Sequence, residues 1–309
     1  MKRISLIRMV VLVLLAGAFA FAQNPVRVGS KQFTENIVLG QLIVLALEDA
    51  GIEVEDRTNL GSTQVNRAAL ENAEIDVYPE YTGTAITNFF READVDIPVE
   101  ASGNAEQSFA IVSELDLELN NLVWLERAPA NNTYAIVVTR EFSESEGLTS
   151  AEDLAEFVNA GNYVFLATGD EFAQRPDGIP AFESTYGFEF AQDQLLIIAG
   201  GTPAQTQQAL ATGANNVNMA MAYGTDGELV AYDFVVLEDP SGAQPVFQPS
   251  PVFRASVLED YPNIPDILNP IFALLDAPTL QELNARVAVD GESESVVARD
   301  FLQENGFID

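Results

Sequence analysis

The fold of this chain is decided by the stretch Ile75-Asp-Val-Tyr-Pro-Glu-Tyr-Thr-Gly-Thr-Ala-Ile86. It opens like a short strand, in which Ile75 and Val77 alternate with Asp76 and Tyr78. Pro79 is expected to end the ladder pairing, because proline has no N–H to donate. Residues 82–84 then resemble the start of a helix, where hydroxyls cap free N–H groups and glycine lets the backbone approach a ligand. In open α/β sheets such a strand-to-helix turn is where ligands bind, and an ordinary connecting loop is the alternative.

Strand and helix patterns alternate on both sides of this turn. Apolar residues at helical spacing between Phe33 and Ala50, ended by Gly51, predict the first helix. The other elements predicted for this half are strands at residues 26–30, 52–56, 75–78 and 122–125 and helices at residues 63–70, 84–90 and 105–119. The alternation predicts a lobe built on a parallel α/β sheet.

A second lobe is expected after the turn-rich residues 129–133, because residues 134–139 read as a buried strand. The Pro-rich residues 240–251 are interpreted as the return connection, and helices are predicted over most of the tail from residue 256. Two crossings suit a two-lobe α/β clamshell with its ligand in the cleft, although two adjacent α/β domains would give the same pattern. The predicted boundaries are residues 23–131 and 238–309 for lobe I and residues 132–237 for lobe II.

The composition excludes several classes of function. The 309 residues carry 47 acidic and 14 basic side chains, and the net charge of −33 repels nucleic acid and anionic membrane surfaces. There is no Cys and no His, so disulfides, a lipid-modified cysteine, Ser–His–Asp or Cys–His catalysis and the usual zinc sites are excluded. No cofactor or metal is expected. Lysine occurs only at Lys2 and Lys31, and this depletion suggests the hypothesis of adaptation to high salt.

The first residues have the parts of a signal peptide. Lys2, Arg3 and Arg8 form a basic start, residues 9–19 are almost wholly apolar, and small residues precede a cleavage site after Ala22. A membrane anchor is the alternative, but the apolar run is shorter than the roughly 20 residues that a membrane span needs. The signal peptide is therefore predicted at residues 1–22. The mature protein is expected to be soluble in a periplasmic or otherwise extracytoplasmic compartment.

Several separated motifs resemble one family, the glycine betaine/choline (osmoprotectant) substrate-binding proteins of ABC transporters. The motifs stand in the family's order and cover nearly the whole mature chain: residues 28–35, 59–84, 131–134, 171–178 and 222–227. The resemblance implies a type II periplasmic binding fold, a clamshell of two lobes with the ligand in the cleft between them. It also implies a small-molecule ligand and an ABC permease as partners.

A quaternary ammonium cannot donate a hydrogen bond, so aromatic ring faces hold it, at about 2 kcal/mol or more per desolvated ring. In the resembling family, tyrosines of these motifs form a cage, and here they are Tyr81, Tyr134 and Tyr223. Phe247 stands where the family has a further cage tyrosine; it keeps the ring face and loses the hydroxyl. The alternative for any one tyrosine is packing in the core with its hydroxyl bonded.

Glycine betaine also carries a carboxylate, which needs cationic or hydroxyl partners. Lys31, the one lysine of the mature chain, is a candidate by its retention and by its motif. With Thr84 and Arg175 it would complete a carboxylate site, since charge-assisted hydrogen bonds are strong when desolvated. Arg175 could instead brace its own loop by pairing with Glu171 or Asp177.

Two asparagines are weaker candidates for ligand contacts. Asn132 is expected to touch the ammonium through its carbonyl dipole, with an ordinary turn role as the alternative. Asn36 stands where the family often has Gln, so the resemblance does not assign it a direct ligand contact.

Enzymatic readings find little support. Asp76 and Glu80 could be imagined as paired acids of a secreted glycoside hydrolase, but carboxylate pairs arise by chance in so acidic a chain. Asp226 and Asp233 are interpreted as residues of solvated loops or helix caps.

The sequence thus predicts a binding protein, not an enzyme. It would capture a quaternary ammonium osmolyte, most of all glycine betaine, as a monomer and deliver it to the permease of an ABC importer. The alternatives are the same fold binding choline, carnitine or another small solute, a secreted carboxylate-dependent hydrolase, and an exported sensory or adhesive domain.

Overall fold

A computed structural model describes residues 24–91, 97 and 102–309. The predicted signal peptide lies outside these residues. Within the described part of the chain, no helix is long and apolar enough to cross a membrane.

The described residues form two sheets of five strands each, with helices around both. The strands are β1 (Val26–Lys31), β2 (Val54–Gly61), β3 (Val77–Tyr81), β4 (Leu122–Trp124), β5 (Tyr134–Thr139), β6 (Leu166–Gly169), β7 (Leu195–Ile198), β8 (Met219–Tyr223), β9 (Phe234–Val236) and β10 (Pro249–Arg254). The helices are α1 (Thr34–Asp49), α2 (Thr63–Glu71), α3 (Thr82–Thr84), α4 (Ala105–Asn120), α5 (Arg140–Glu146), α6 (Ala151–Asn159), α7 (Asp170–Gln174), α8 (Ile179–Tyr186), α9 (Pro203–Ala211), α10 (Glu228–Ala231), α11 (Ala255–Asp260), α12 (Ile264–Phe272), α13 (Ala277–Ala288) and α14 (Glu294–Glu304). A π-helical turn, Ala85–Phe90, continues α3.

The first sheet has the strand order β2-β1-β3-β10-β4. Helix α1 lies against it and is buried along most of its length, because nearly all of its residues from Val38 to Leu47 are apolar. The C-terminal helices α12, α13 and α14 pack against α1 in the same core, through Leu268, Leu280 and Leu302 among others. The tail of the chain therefore completes the core of the first sheet.

Strand β10 was not predicted, and its position corrects two expectations. Residues 249–251, taken as part of a connection, begin a strand that pairs antiparallel with both β3 and β4. The first sheet is thus mixed and not purely parallel. The carbonyls of Pro249 and Pro251 accept hydrogen bonds from the backbone N–H groups of Ala128 and Leu125, so the prolines use the one backbone group they have.

The expectation that Pro79 ends the pairing of its strand was also wrong. Strand β3 runs through Pro79 to Tyr81, and Pro79 lies opposite Pro251 of β10. The carbonyl of Pro79 accepts a hydrogen bond of 2.9 Å from Nδ2 of Asn36 on α1. The N–H and C=O of one strand residue point to the same side, so Pro79 faces away from β10 and its missing N–H removes no bond from that ladder.

The second sheet has the order β7-β6-β8-β5-β9 and its own core, which includes Phe172 and Phe182. The chain enters this sheet between β4 and β5 and leaves it between β9 and β10. Strand β5 has the predicted bounds, and β5 and β8 run antiparallel with Tyr134 directly opposite Tyr223. That register brings two of the predicted cage residues together at the ends of their strands.

Candidate ligand site

One cavity is lined by strand residues of both sheets. All eight residues predicted for the ligand site line it, although they come from six separate segments: Lys31, Tyr81, Thr84, Asn132, Tyr134, Arg175, Tyr223 and Phe247. The cavity is also lined by residues that the sequence did not single out, among them Phe33, Glu35, Asp226, Glu228 and Asn284.

The second sheet supplies an aromatic wall. The rings of Tyr134 and Tyr223 stack with centroids 5.0 Å apart, as their opposite positions on β5 and β8 require. The ring of Phe247 meets Tyr134 edge-on at 6.1 Å, and Phe33 meets Tyr223 edge-on at 6.2 Å. Phe33 was missed because it reads as the first apolar residue of a helix, whereas it precedes α1 in extended conformation.

Gly83, in the stretch of residues 75–86, is required for the packing of Phe247. A Cβ atom at Gly83 would lie 2.7 Å from the ring of Phe247, which is too close for any side chain. Gly83 therefore lets the phenylalanine pack onto the start of α3. The sequence predicted that the backbone of this turn approaches a ligand; the group that lies close to Gly83 in this structure is an aromatic ring of the protein.

Burial keeps the tyrosines neutral. Loss of hydration raises the pKa of Tyr134 to about 12, and burial raises the pKa values of Tyr81 and Tyr223 well above their ordinary value. At neutral pH all three present uncharged rings with hydroxyls that can donate hydrogen bonds.

Lys31 already has an anionic partner. Its ammonium is almost fully buried and lies 2.6 Å from Oε1 of Glu80, which has no exposed surface. Glu80 also accepts hydrogen bonds from the hydroxyl of Tyr78 at 2.8 Å and the backbone N–H of Tyr81 at 2.7 Å. The Lys31 ammonium lies 5.0 Å from the centroid of the Tyr81 ring, so it faces both a carboxylate and a cage residue.

Arg175 also has anionic partners, and they are those of the loop brace that the sequence left open. Its Nε donates to Asp177 at 2.8 Å, and Nη1 reaches Glu171 at 3.5 Å. Burial alone would raise the pKa of Asp177, but the hydrogen bond and the positive charge of Arg175, together with the hydrogen bond from Thr87, hold that pKa below its usual value. The guanidinium also lies 5.5 Å from the centroid of the Tyr134 ring, so Arg175 braces its loop and borders the cavity at once.

Glu35, which was not predicted as a site residue, makes more side-chain hydrogen bonds than any of the predicted site residues. Its carboxyl group accepts from the Tyr81 hydroxyl at 2.9 Å, from Nδ2 of Asn132 at 2.7 Å, from Nδ2 of Asn284 at 3.0 Å and from the hydroxyl of Thr225. Burial raises the pKa of Glu35, and these hydrogen bonds act in the opposite direction. Glu35 closes the motif at residues 28–35, which was the available signal.

Thr84 and Asn132 are buried at the cavity wall. Asn132 donates to Glu35, while its carbonyl oxygen has no hydrogen-bond partner among the residues that the structure describes. Asn36 lies outside the cavity lining and is fully buried. Its side chain accepts from the backbone N–H of Lys31 at 2.6 Å and donates to Pro79, so it joins β1 to β3.

The interpretation of Asp226 as a solvated residue was wrong. Asp226 borders the cavity, accepts hydrogen bonds of 2.7 Å from the backbone N–H of Tyr223 and from Nε2 of Gln207, and has a pKa that burial raises well above its usual value. It stands three residues after Tyr223 and holds the turn that follows β8. Asp233 is exposed, as expected, and pairs with Arg140.

Asp76 and Glu80, which were considered as the paired acids of a glycoside hydrolase, are bonded to other residues. Asp76 accepts hydrogen bonds from Arg27 and Arg254, and Glu80 is held by Lys31. Although partial burial opposes it, bonding to Arg27 and Arg254 lowers the pKa of Asp76. Neither carboxyl is arranged as the proton donor that glycoside hydrolysis needs.

Comparison with known proteins decides the family. The chain matches the substrate binding domain of the ABC-type glycine betaine transport system (OpuAC) over residues 24–304. The chain belongs to this family. Its members are extracytoplasmic binding proteins of transporters, which bind small ligands and interact with a permease, so the protein is not an enzyme and the hydrolase alternative falls.

Two curated relatives and one solved structure illustrate the likeness. The chain is 46% identical over 286 residues to the glycine betaine-binding protein YehZ of Escherichia coli (strain K12), with 93% of this chain and 92% of YehZ covered. It is 32% identical over 306 residues to a glycine-betaine-binding protein of Pseudomonas aeruginosa, with 95% of this chain and 93% of that protein covered. The structure of apo YehZ matches with a TM-score of 0.71 over 92% of this chain and 100% of the other. The prediction of a two-lobe α/β fold of the type II periplasmic binding class is confirmed.

Proposed function

We propose that this protein captures a quaternary ammonium osmolyte, glycine betaine above all, in the cavity between its lobes and delivers it to an ABC permease. The observation that carries the proposal is the convergence of Tyr81, Tyr134, Tyr223 and Phe247 on one cavity. Electron-rich ring faces attract a trimethylammonium group that can make no hydrogen bond. Both relatives are named as glycine betaine-binding proteins, which supports the same ligand.

The carboxylate of glycine betaine is assigned to Lys31, Thr84 and Arg175, which line the same cavity. An ammonium has three donors, and Glu80 accepts from Lys31, so further N–H groups remain for a ligand. The guanidinium of Arg175 has five N–H donors, and the bonds to Asp177 and Glu171 use only some of them, so others remain for a ligand. Asn132 is assigned to the ammonium end, where its unbonded carbonyl oxygen would face the positive charge.

The proposed mechanism is closure of two lobes on the ligand. Lobe I is assigned residues 23–131 and 238–309, and lobe II residues 132–237. The hydroxyl of Thr87, in the segment assigned to lobe I, donates to Asp177, in the segment assigned to lobe II, at 2.7 Å. Closure of the two lobes would form this contact. We further propose that a signal peptide is cleaved after Ala22 and that the mature chain acts as a monomer, with ligand binding shifting its open and closed populations.

Removal of one cage ring tests this function. Tyr223→Ala is expected to weaken glycine betaine binding at least tenfold, equivalent to about 1.4 kcal/mol. Tyr223→Phe keeps the ring face and is the matched control, which should bind within a few-fold of the native protein. Isothermal titration calorimetry on protein freed of bound ligand measures both. Equal affinity of the native protein and Tyr223→Ala would remove this ring from the site.

A second candidate ligand is choline, and two observations favour it. Lys31 and Arg175 are already paired with carboxylates, so a ligand without a carboxylate would leave neither cation unpaired. The carbonyl oxygens of Asn132 and Asn284 are buried without a hydrogen-bond partner among the described residues, and the choline hydroxyl could donate to one of them. Choline should then bind more tightly than ethyltrimethylammonium, which lacks the hydroxyl. Equal affinity for the two compounds would count against this candidate.

A further inference from the structure

The carboxyl group of Glu35 gathers donors from four separate parts of the chain. Glu35 lies in the first turn of α1, and its partners belong to the end of β3, the crossing between the sheets, the turn after β8, and α13. In that order the partners are Tyr81, Asn132, Thr225 and Asn284. One buried side chain therefore links the first lobe, the crossing and the second lobe.

Thr225 is the partner that comes from the second lobe, since it follows β8 directly. Elements of the first lobe hold the same turn from the other side. Asn284 donates to the backbone carbonyl of Thr225 at 2.8 Å, and Gln281 donates to the carbonyl of Gly224 at 3.0 Å. A Cβ atom at Gly227 would lie 2.2 Å from the backbone nitrogen of Ala285, so this turn and α13 are in close contact.

Thr225 and Glu35 differ in their access to the ligand. Glu35 and Tyr81 line the cavity. Thr225 has no exposed surface and is not among the residues that line the cavity. The Thr225 hydroxyl donates to Glu35, so it is connected to the cavity through that carboxyl group, to which the Tyr81 hydroxyl is also bonded.

We propose that Glu35 is a positioning residue that ties the cage to lobe closure. Its bond from Tyr81 fixes a cage ring, and its bond from Thr225 holds the second lobe against the start of α1. The proposal rests on the proposed function, because it concerns the closed, ligand-holding arrangement of the same site.

The test removes the hydroxyl of Thr225 and leaves the cavity lining intact. Thr225→Val keeps the shape of the side chain and is expected to lower glycine betaine affinity about tenfold. Thr225→Ser keeps the hydroxyl and should bind within about threefold of the native protein. Glu35→Leu, which removes both acceptor oxygens, should also lose affinity, and the double variant Glu35→Leu/Thr225→Val should lose little more than Glu35→Leu alone, because the bond from the Thr225 hydroxyl is already absent in Glu35→Leu.

A second readout separates closure from folding. Small-angle X-ray scattering should show that ligand compacts the native protein and Thr225→Ser, and compacts Thr225→Val less at equal ligand concentration. Should Thr225→Val fail to fold, Thr225→Ala serves in its place. Native-like affinity of Thr225→Val, or equal losses in Thr225→Val and Thr225→Ser, would overturn the proposal while the native protein still binds. If the native protein binds no quaternary ammonium compound, the proposed function itself fails.

Discussion

Two buried glutamates stand on either side of Tyr81, and their surroundings differ. Glu80 is neutralised by the ammonium of Lys31, and its other contacts come from Tyr78 and from the backbone of Tyr81. Glu35 is bonded to two hydroxyls and two amides, and it borders the cavity. The first arrangement is a buried ion pair that joins β1 to β3. The second is held by neutral groups from several segments, so it depends on how those segments are placed.

The difference separates stability from ligand binding. A buried ion pair that loses one member leaves an uncompensated charge, which is among the most costly changes in a protein interior. When a carboxyl group is held by neutral donors, removing one donor costs less free energy. The removal mainly disturbs the contact between the two segments that this hydrogen bond joined. We therefore expect a change at Glu80 to act mainly on folding, a change at Lys31 to act on folding and on ligand binding, because Lys31 also lines the cavity, and changes around Glu35 to act mainly on binding.

The largest effect is expected from Lys31→Ala. It leaves Glu80 buried without its cation and should lower the free energy of unfolding by about 3–5 kcal/mol. Denaturant unfolding at neutral pH measures this. The double change Lys31→Met/Glu80→Gln removes both charges and should recover most of the loss. A double variant as unstable as Lys31→Ala would show that the pair is not the cause.

Tyr81 sharpens the comparison because it touches both glutamates. Tyr81→Ala removes a cage ring and should weaken glycine betaine binding at least tenfold, about 1.4 kcal/mol. Tyr81→Phe keeps the ring and loses only the hydroxyl bond to Glu35. Titration calorimetry should therefore place Tyr81→Phe between the native protein and Tyr81→Ala. Equal binding by native protein and Tyr81→Ala would contradict the cage.

The pH dependence of stability should single out Glu35. Burial raises its pKa in the folded protein, so its stabilising contribution is complete below the unfolded pKa of about 4.3 and is lost as the pH rises through the folded pKa. Glu35→Gln cannot ionise. The free energy of unfolding of native protein minus that of Glu35→Gln, measured without ligand, should be constant in acid and fall as the pH rises. A constant difference from about pH 4 to about pH 8 would contradict the raised pKa.

The smallest effect is expected at an exposed ion pair. Arg140 and Asp233 are both largely open to solvent, although they form two hydrogen bonds of 2.6 and 2.7 Å. Water and salt screen such pairs, and holding two side chains in place costs entropy. Arg140→Ala should leave thermal unfolding and ligand affinity unchanged within error. A shift as large as that of Lys31→Ala would mean that burial is not what distinguishes these pairs.

The sequence predicted eight of the residues that line the cavity, and it did so through the resemblance to a known family. Local patterns were enough for β5 and for a helix beginning at Thr82, because side-chain periodicity acts over a few residues. The expectation that hydroxyls cap this helix was wrong: its N-cap residue, Tyr81, makes no side-chain cap bond, and the Thr82 hydroxyl donates to the carbonyl of Val246. Local patterns also failed at Pro79 and Pro251, where proline reads as a breaker unless the direction of its backbone groups is known. Glu35 was missed because its partner Asn284 is 249 residues away, and no local pattern reports such a contact.

The measurement that tests the central claim most directly is a calorimetric titration of the mature protein, freed of bound ligand, with glycine betaine and then with choline in high salt. Tighter binding of glycine betaine than of choline is the result that the cage and its carboxylate partners predict. Choline binding as tight or tighter would keep the cage and remove the assignment of Lys31 and Arg175 to a ligand carboxylate. Binding of neither compound by the folded protein would contradict the proposed function.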